Sequence, residues 1–431
     1  MIISDSQAIK FRILPFLISA AALLLLLAGF NWRVDPYYLM KADEIEGFNA
    51  KKPSFFFQLA KAKPYHFWLL DTDAVIVGSS RAGSAFDPSA PAIKGENYYN
   101  FATPGARIRQ IDQALRSSVA GKGVVKLIVS LDFFGFNSHG DLPARSAEEY
   151  QRRLPQSGNP LCDSDFIGQA LEDYSSALLS FDGLRDSLDT VKLQSEYAEQ
   201  SLNVFTLYVD DGHWSPTFAK GRELYKAFQE AENTYLNNGW FPRGDPIYSL
   251  RPYEGYDPFA VYAQMLDFAY RHKVEIKVVL PPMHTRLLET LEYADLWGTL
   301  EQWKHLLVEI NEKQAKNNKV QPYSIWDFIT YSEITSESIS LDTRTEDLRW
   351  VYDSSHVSKN AGDLILGIMH GGKNEGIGLS INSANIDNWL KETRERQWQF
   401  RKAFPSVAKE ISQRVNKKRQ KRNWRIELRD I

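Results

Sequence analysis

Cysteine is almost missing from this chain: Cys162 is the only one in 431 residues. That excludes an intramolecular disulfide framework and any zinc site of the multi-cysteine type. An excess of one charge sign is missing too, since 54 acids against 51 bases leave a formal net charge of −3. With 43 % apolar residues, this balance excludes a disordered chain, a collagen-like or coiled-coil rod, and a polycation built to coat nucleic acid. Internal repeats and long low-complexity tracts are absent. So are a phosphate-cradling Gly-rich loop ending in Lys-Ser/Thr and a His-Glu-x-x-His pair.

Long apolar runs are scarce, with one exception. Ile13 to Phe30 reads ILPFLISAAALLLLLAGF, 18 uncharged residues, at the short end of what crosses a bilayer core of about 30 Å at about 1.5 Å per residue. Lys10 and Arg12 precede it, and Trp32, Tyr37 and Tyr38 follow at the level of an interface, so the charge bias places the N-terminus inside and the remainder in the extracytoplasmic (periplasmic) space. A cleaved signal peptide is the alternative. Phe30, Asn31 and Trp32 make poor neighbours for a cleavage site, which favours a permanent single-pass anchor.

The other end is basic. From Arg414 to Arg429 there are eight bases and one acid, so the rest of the chain holds 54 − 1 = 53 acids and 51 − 8 = 43 bases, a net of −10. A positive arm on an acidic body suits anionic lipid or an acidic polymer. A solvated helix end is the plainer reading, and nucleic acid is not an expected partner.

Between these ends, short apolar runs alternate with helix-like stretches, the pattern of a parallel sheet covered on both faces. Strands are expected at Ala74–Val77, Tyr98–Ala102, Leu127–Leu131, Ile276–Leu280 and Tyr323–Trp326, with helices around Ile108–Ala120, Pro258–His272, Trp297–Lys316 and Lys359–Met369. The stretch between the third and fourth strands is far longer than a βα crossover needs, so it reads as an inserted, mostly helical, aromatic-rich subdomain. The expected division is an anchor at 1–35, a first core part at 36–137, the insertion at 138–256, a second core part at 257–384, and a C-terminal helix with the basic tail at 385–431.

Ligands of such sheets bind outside the carboxyl ends of the strands. Gly78-Ser79-Ser80-Arg81 follows the first strand, Thr103-Pro104-Gly105 the second, and Asp132-Phe133-Phe134-Gly135-Phe136-Asn137 the third. Pro281-Pro282-Met283-His284 follows the fourth, and Asp353-Ser354-Ser355-His356 comes after the fifth. A serine hydroxyl is a poor nucleophile unless a base takes its proton, and that base works better when a carboxylate fixes its tautomer. Ser80, His356 and Asp353 can fill those roles, because the Asp-x-x-His spacing brings carboxylate and imidazole together within one turn. The backbone N–H groups of Ser80 and Gly105 are candidate oxyanion donors. Ser79 is a rival nucleophile, Asp327 a rival orienting carboxylate, and His356 has an alternative use as a helix cap. Arg81 and His284 are candidate substrate contacts, with an Arg81–Asp132 ion pair and a turn histidine as the structural alternatives.

Gly-Ser-Ser-Arg after the first strand, Tyr-Asn-Phe-Ala-Thr-Pro-Gly after it, Leu-Asp-Phe-Phe-Gly-Phe-Asn at the third strand and the late Asp-Ser-Ser-His together resemble the blocks of the SGNH (GDSL-type) hydrolase superfamily. The closer likeness is to its membrane-anchored branch, which includes the teichoic-acid D-alanyl transfer protein and the alginate O-acetylation proteins. The resemblance spans most of 73–369 outside the insertion. It implies a three-layer α/β/α sandwich around a parallel five-stranded, flavodoxin-like sheet. It further implies Ser80 as nucleophile, Gly105 as oxyanion donor, Asp353 as orienting carboxylate and His356 as base, with no cofactor.

Two departures stand out. Ser79 occupies the position before the nucleophile where the family usually has Asp, as in the D-alanyl transfer branch. The third-block asparagine has no clean equivalent, and Asn137 is the nearest amide. The expected activity is acyl transfer to, or ester hydrolysis on, a cell-envelope polysaccharide, beside a multi-span membrane acyltransferase. A catalytically silent glycan-binding or scaffolding subunit is the main alternative, and a lipid-cleaving esterase the third.

Overall fold

The computed structural model describes residues 5–140, 144–155, 158–194, 205–208, 211–216, 224–244, 246–344 and 347–430. The ten described strands are β1 (Ala74–Val77), β2 (Tyr98–Asn100), β3 (Lys126–Ser130), β4 (Phe205–Tyr208), β5 (Trp214–Pro216), β6 (Ile247–Ser249), β7 (Glu275–Leu280), β8 (Ser324–Asp327), β9 (Leu379–Ile381) and β10 (Arg425–Glu427). Six of them form the central sheet in the order β2-β1-β3-β7-β8-β9. Neighbours from β2 to β8 pair in parallel, and β9 runs antiparallel to β8. The sheet is therefore mixed and six-stranded, which corrects the expectation of five parallel strands. The added strand is three residues long and largely half-buried, too short to leave a periodic signal.

Alternation along the strands explains why both faces are covered. Val75, Val77, Leu127, Val129, Val278 and Leu280 share one core with the helices Ile108–Arg116, Pro258–Arg271 and Trp297–Asn318. Ile76, Ile128 and Val279 turn the other way and pack with Ala82 and Ala85 of the helix Ser80–Ala85 and with Ile365 and Leu366 of the helix Lys359–Met369. Asp257 caps the helix at Pro258 by accepting the Phe259 N–H, with proline at its first turn, a placement that removes no intrahelical bond.

The helix Asp5–Val34 is long and apolar enough, over Ile13–Val34, to cross a membrane. Its far end is tied down. Asn31 donates to the Leu178 carbonyl at 2.9 Å and Lys52 Nζ donates to the Val34 and Asp35 carbonyls at 3.1 and 3.0 Å. Asp35 accepts the N–H groups of Leu39, Met40 and Ala42. The described part of the insertion comprises helices Ala144–Arg152, Ser164–Leu179, Phe181–Lys192 and Leu224–Thr234, with β4 antiparallel to β5.

The C-terminal region differs from a helix with a free tail. Two helices, Ile386–Ala403 and Pro405–Arg422, are followed by β10, which pairs in parallel with β6 of the insertion. At least five of the eight bases grip the protein itself. Arg414 bonds Glu232, Lys418 bonds Asn237, and Arg419 bonds the Tyr293 carbonyl. Arg422 bonds the Leu236, Phe241 and Pro242 carbonyls, and Arg429 forks onto Asp257 at 2.7 and 3.0 Å.

Candidate active site

Ser80 opens the helix Ser80–Ala85 directly after β1, and Ser79 is its N-cap. The Ser79 hydroxyl accepts the Arg81 N–H at 3.2 Å and donates to Asp132. A hydroxyl so held, on a fully buried residue, is a cap rather than a nucleophile. Ser80, by contrast, is half-buried. Its Oγ lies 2.9 Å from His356 Nε2. On the far side of the ring, His356 Nδ1 lies 2.9 Å from Asp353 Oδ2 and 3.1 Å from Oδ1.

The Asp353–His356 turn is built by its own polar atoms. Asp353 Oδ1 accepts the N–H groups of Ser355 and His356 at 2.6 and 2.9 Å, the local closure that Asp makes readily in turns. The Tyr352 N–H donates to the His356 carbonyl at 2.8 Å, and Val351 pairs with Val357 across the turn. Ser358 then caps the helix Lys359–Met369. Burial works to raise the Asp353 pKa, but the charge and hydrogen bond of His356 and the two backbone donors outweigh it, so the carboxyl sits below its usual range. An ionised Asp353 is what holds the imidazole with its proton on Nδ1 and its lone pair toward Ser80.

Three neighbouring segments fix this turn against Ser80. Arg81 Nε donates to Ser355 Oγ at 3.2 Å, Nη2 to the Tyr235 hydroxyl at 3.0 Å, and Nη1 lies 3.0 Å from Asp132 Oδ1. The hydroxyls of Tyr235 and Ser355 lie 2.8 Å apart. Ser354 donates to the Phe228 carbonyl at 2.7 Å, and its own carbonyl accepts the His284 N–H at 3.1 Å. Trp214 of β5 lies over the helix Ser80–Ala85: a Cβ on Gly83 would come within 2.3 Å of its indole nitrogen. The same indole stands 6.4 Å, ring to ring, from His356.

The remaining sequence-based candidates divide. The loop after β2 is tied to the end of β1 by the Thr103 N–H to the Gly78 carbonyl at 3.1 Å, and it carries Gly105 exposed at φ +69°. A Cβ there would meet nothing within 4 Å, so the backbone conformation, and not a close approach, asks for glycine. Asn137 is withdrawn as an oxyanion donor. It is buried, donates to the Trp240 and Ile247 carbonyls at 2.9 and 2.8 Å, and accepts the N–H groups of His139 and Ser249.

Arg81 is likewise corrected from substrate contact to buried hub, since its guanidinium is 2 % exposed and already paired. Burial works to lower its pKa and is outweighed by Tyr235 and Asp132, so it stays charged. His284 is a buried helix cap whose Nδ1 accepts the Arg286 N–H at 3.2 Å and whose Nε2 lies 2.8 Å from the Glu337 carbonyl. Burial lowers its pKa to about 4. Asp327 is also engaged elsewhere, by Lys304 at 2.6 Å and the Trp389 indole at 2.9 Å. Ser355 was not among the sequence-based candidates, and Tyr235 was read only as one of the aromatic residues of the insertion. Ser355 had a signal in its place between Asp353 and His356, whereas Tyr235 reaches the site only through the folding of the insertion.

Comparison of the chain with protein-family models, with curated proteins and with solved structures finds no match.

Proposed function

We propose that this protein is a membrane-anchored, extracytoplasmic serine O-acyltransferase or esterase of the SGNH type, acting on a cell-envelope polysaccharide. The observation that carries the reading is the relay from the Ser80 hydroxyl through the His356 ring to the Asp353 carboxylate, at 2.9 Å for each step. It lies beyond the carboxyl ends of β1 and its neighbours, where sheets of this class present their ligands. In the proposed reaction His356 Nε2 takes the Ser80 proton as Oγ attacks the acyl carbonyl. The C–O bond to the donor's leaving group then breaks, with the proton returned to that group by His356. A sugar hydroxyl, or water in the hydrolytic case, gives its proton to His356 and attacks the acyl-serine, freeing Ser80. The backbone N–H of Ser80, at the first helical position and so without an intrahelical acceptor, is the oxyanion donor we favour, with the Gly105 N–H as the second candidate.

The engagement of Asn137 by four backbone groups motivates the second reading, a catalytically silent subunit that holds glycan beside a multi-span membrane acyltransferase. A fluorophosphonate probe separates the two. On the enzymatic reading it labels the wild type and Ser79→Ala but not Ser80→Ala. Equal labelling of the wild type and Ser80→Ala overturns the assignment.

A further inference from the structure

The anchor is not the only part of this protein shaped to meet a bilayer. The helices Ser164–Leu179 and Phe181–Lys192 pack on each other and are joined by Ser180 alone, which forms the tip of a hairpin. The tip sits against the end of the anchor, because the Leu178 carbonyl accepts from Asn31 at 2.9 Å. Further along, Tyr174 donates to the Leu39 carbonyl and Tyr37 to Asp186. The hairpin therefore follows the chain outward from the anchor, with its tip at the membrane end. Asn31 is three residues from the end of the apolar span Ile13–Val34, about 5 Å at the helical rise of 1.5 Å per residue. The tip thus stands at the depth of the lipid headgroups.

What the tip presents is apolar. Phe181 is 89 % exposed and Leu179 47 %, and on the anchor's adjoining turn Trp32 is 54 % exposed. A nearly bare phenylalanine at a helix start is costly in water and at home at a bilayer interface, as is the indole. The hairpin's nearby charges, Asp182, Asp186 and Asp189 against Arg185 and Lys192, sum to −1. They offer no excess of bases for anionic lipid, so the contact rests on apolar insertion.

We propose that the Leu179–Phe181 tip is a second membrane contact, inserted into the headgroup–acyl boundary beside the anchor helix. It goes beyond the acyl-transfer reading and rests on Ile13–Val34 crossing the bilayer. A single helix leaves the body free to tilt, and a second contact removes that freedom, so the sheet's carboxyl edge is held in one orientation to the membrane.

The test uses the full chain in nanodiscs of pure phosphatidylcholine, with Cys162→Ser as background and an environment-sensitive fluorophore on Phe181→Cys, Leu25→Cys or Val320→Cys. The expected result is blue-shifted emission at 181, quenched by headgroup-spin-labelled lipid, with the label at 25 quenched by acyl-chain-spin-labelled lipid and the label at 320 only by aqueous iodide. If the label at 25 is quenched by lipid and that at 181 behaves like 320, the tip proposal is overturned while the anchor stands. If the label at 25 also escapes lipid quenching, both fall. Shielding of 181 in native membranes but not in pure lipid assigns the tip to a protein partner and overturns the lipid contact.

Discussion

Ala85 and Gly362 meet backbone to backbone: a Cβ on Gly362 would come within 1.7 Å of the Ala85 carbonyl oxygen. Ala85 closes the helix that begins at Ser80, and Gly362 lies in the first turn of the helix that follows His356. This crossing helps set the distance between Ser80 and His356, 2.9 Å from Oγ to Nε2. Gly362→Ala is expected to push the helices apart, destabilise the protein by about 1–3 kcal/mol as overpacking does, and lower fluorophosphonate labelling of Ser80 more than global unfolding explains. A variant that melts lower yet labels at the wild-type rate would show that the crossing does not govern the relay.

Arg81 joins three segments through Ser355, Tyr235 and Asp132, so it holds the Asp353–His356 turn beside Ser80. Arg81→Lys keeps the charge near Asp132 but cannot reproduce the planar fork. The expected outcome is a loss of about 1–3 kcal/mol in stability, for bonds left unmade in a buried place, and a fall in kcat with KM nearly unchanged. A KM effect alone, measured with a soluble ester, would return Arg81 to the role of substrate contact.

Much of the core was readable because its strands are short, mainly apolar and followed by breaks, and the Asp353–His356 pair because the two are local partners. Residues such as Asn137 and His284 misled for a physical reason. A polar side chain after a strand can serve a ligand or satisfy loop backbone, and both uses leave the same letter in the sequence. Here Asn137 meets carbonyls from Trp240 and Ile247, on an insertion whose path no periodicity announces. The contact of Tyr235 was invisible on the same ground, since its hydroxyl reaches Ser355 across 120 residues of sequence.

His284 makes stability depend on pH. Its folded pKa is lowered to about 4 by burial, below the unfolded value of about 6.5. Between those values the unfolded chain binds a proton that the folded one does not. Stability is thus complete above about pH 6.5 and declines toward pH 4, by about 3 kcal/mol in total. His284→Asn keeps a cap acceptor and loses the titration. Urea unfolding of both proteins from pH 7 to 4 is expected to show a shallower decline for the variant, and identical slopes would exclude His284 as a source of the acid sensitivity.

The basic tail offers the sharpest contrast between composition and structure. Glu232 is fully buried and takes Arg286 at 2.8 Å, with Arg414 on its other oxygen. Glu410 receives Arg286 at 3.1 Å and the Tyr225 hydroxyl. Removing one cation from such a network leaves a buried carboxylate underpaired. Arg414→Met is therefore expected to destabilise by about 1–3 kcal/mol. Lys417 and Lys421 are exposed, and Lys417→Ala with Lys421→Ala is expected to stay within about 0.5 kcal/mol of wild type. Thermal unfolding of the two variants side by side measures the difference. If the tail were a solvated arm for anionic lipid, both would melt with the wild type, and the lysine pair would instead weaken binding to phosphatidylglycerol vesicles. Loss of stability confined to Arg414→Met means that the tail's charge holds the insertion to the body, the same insertion that carries Tyr235 to the triad.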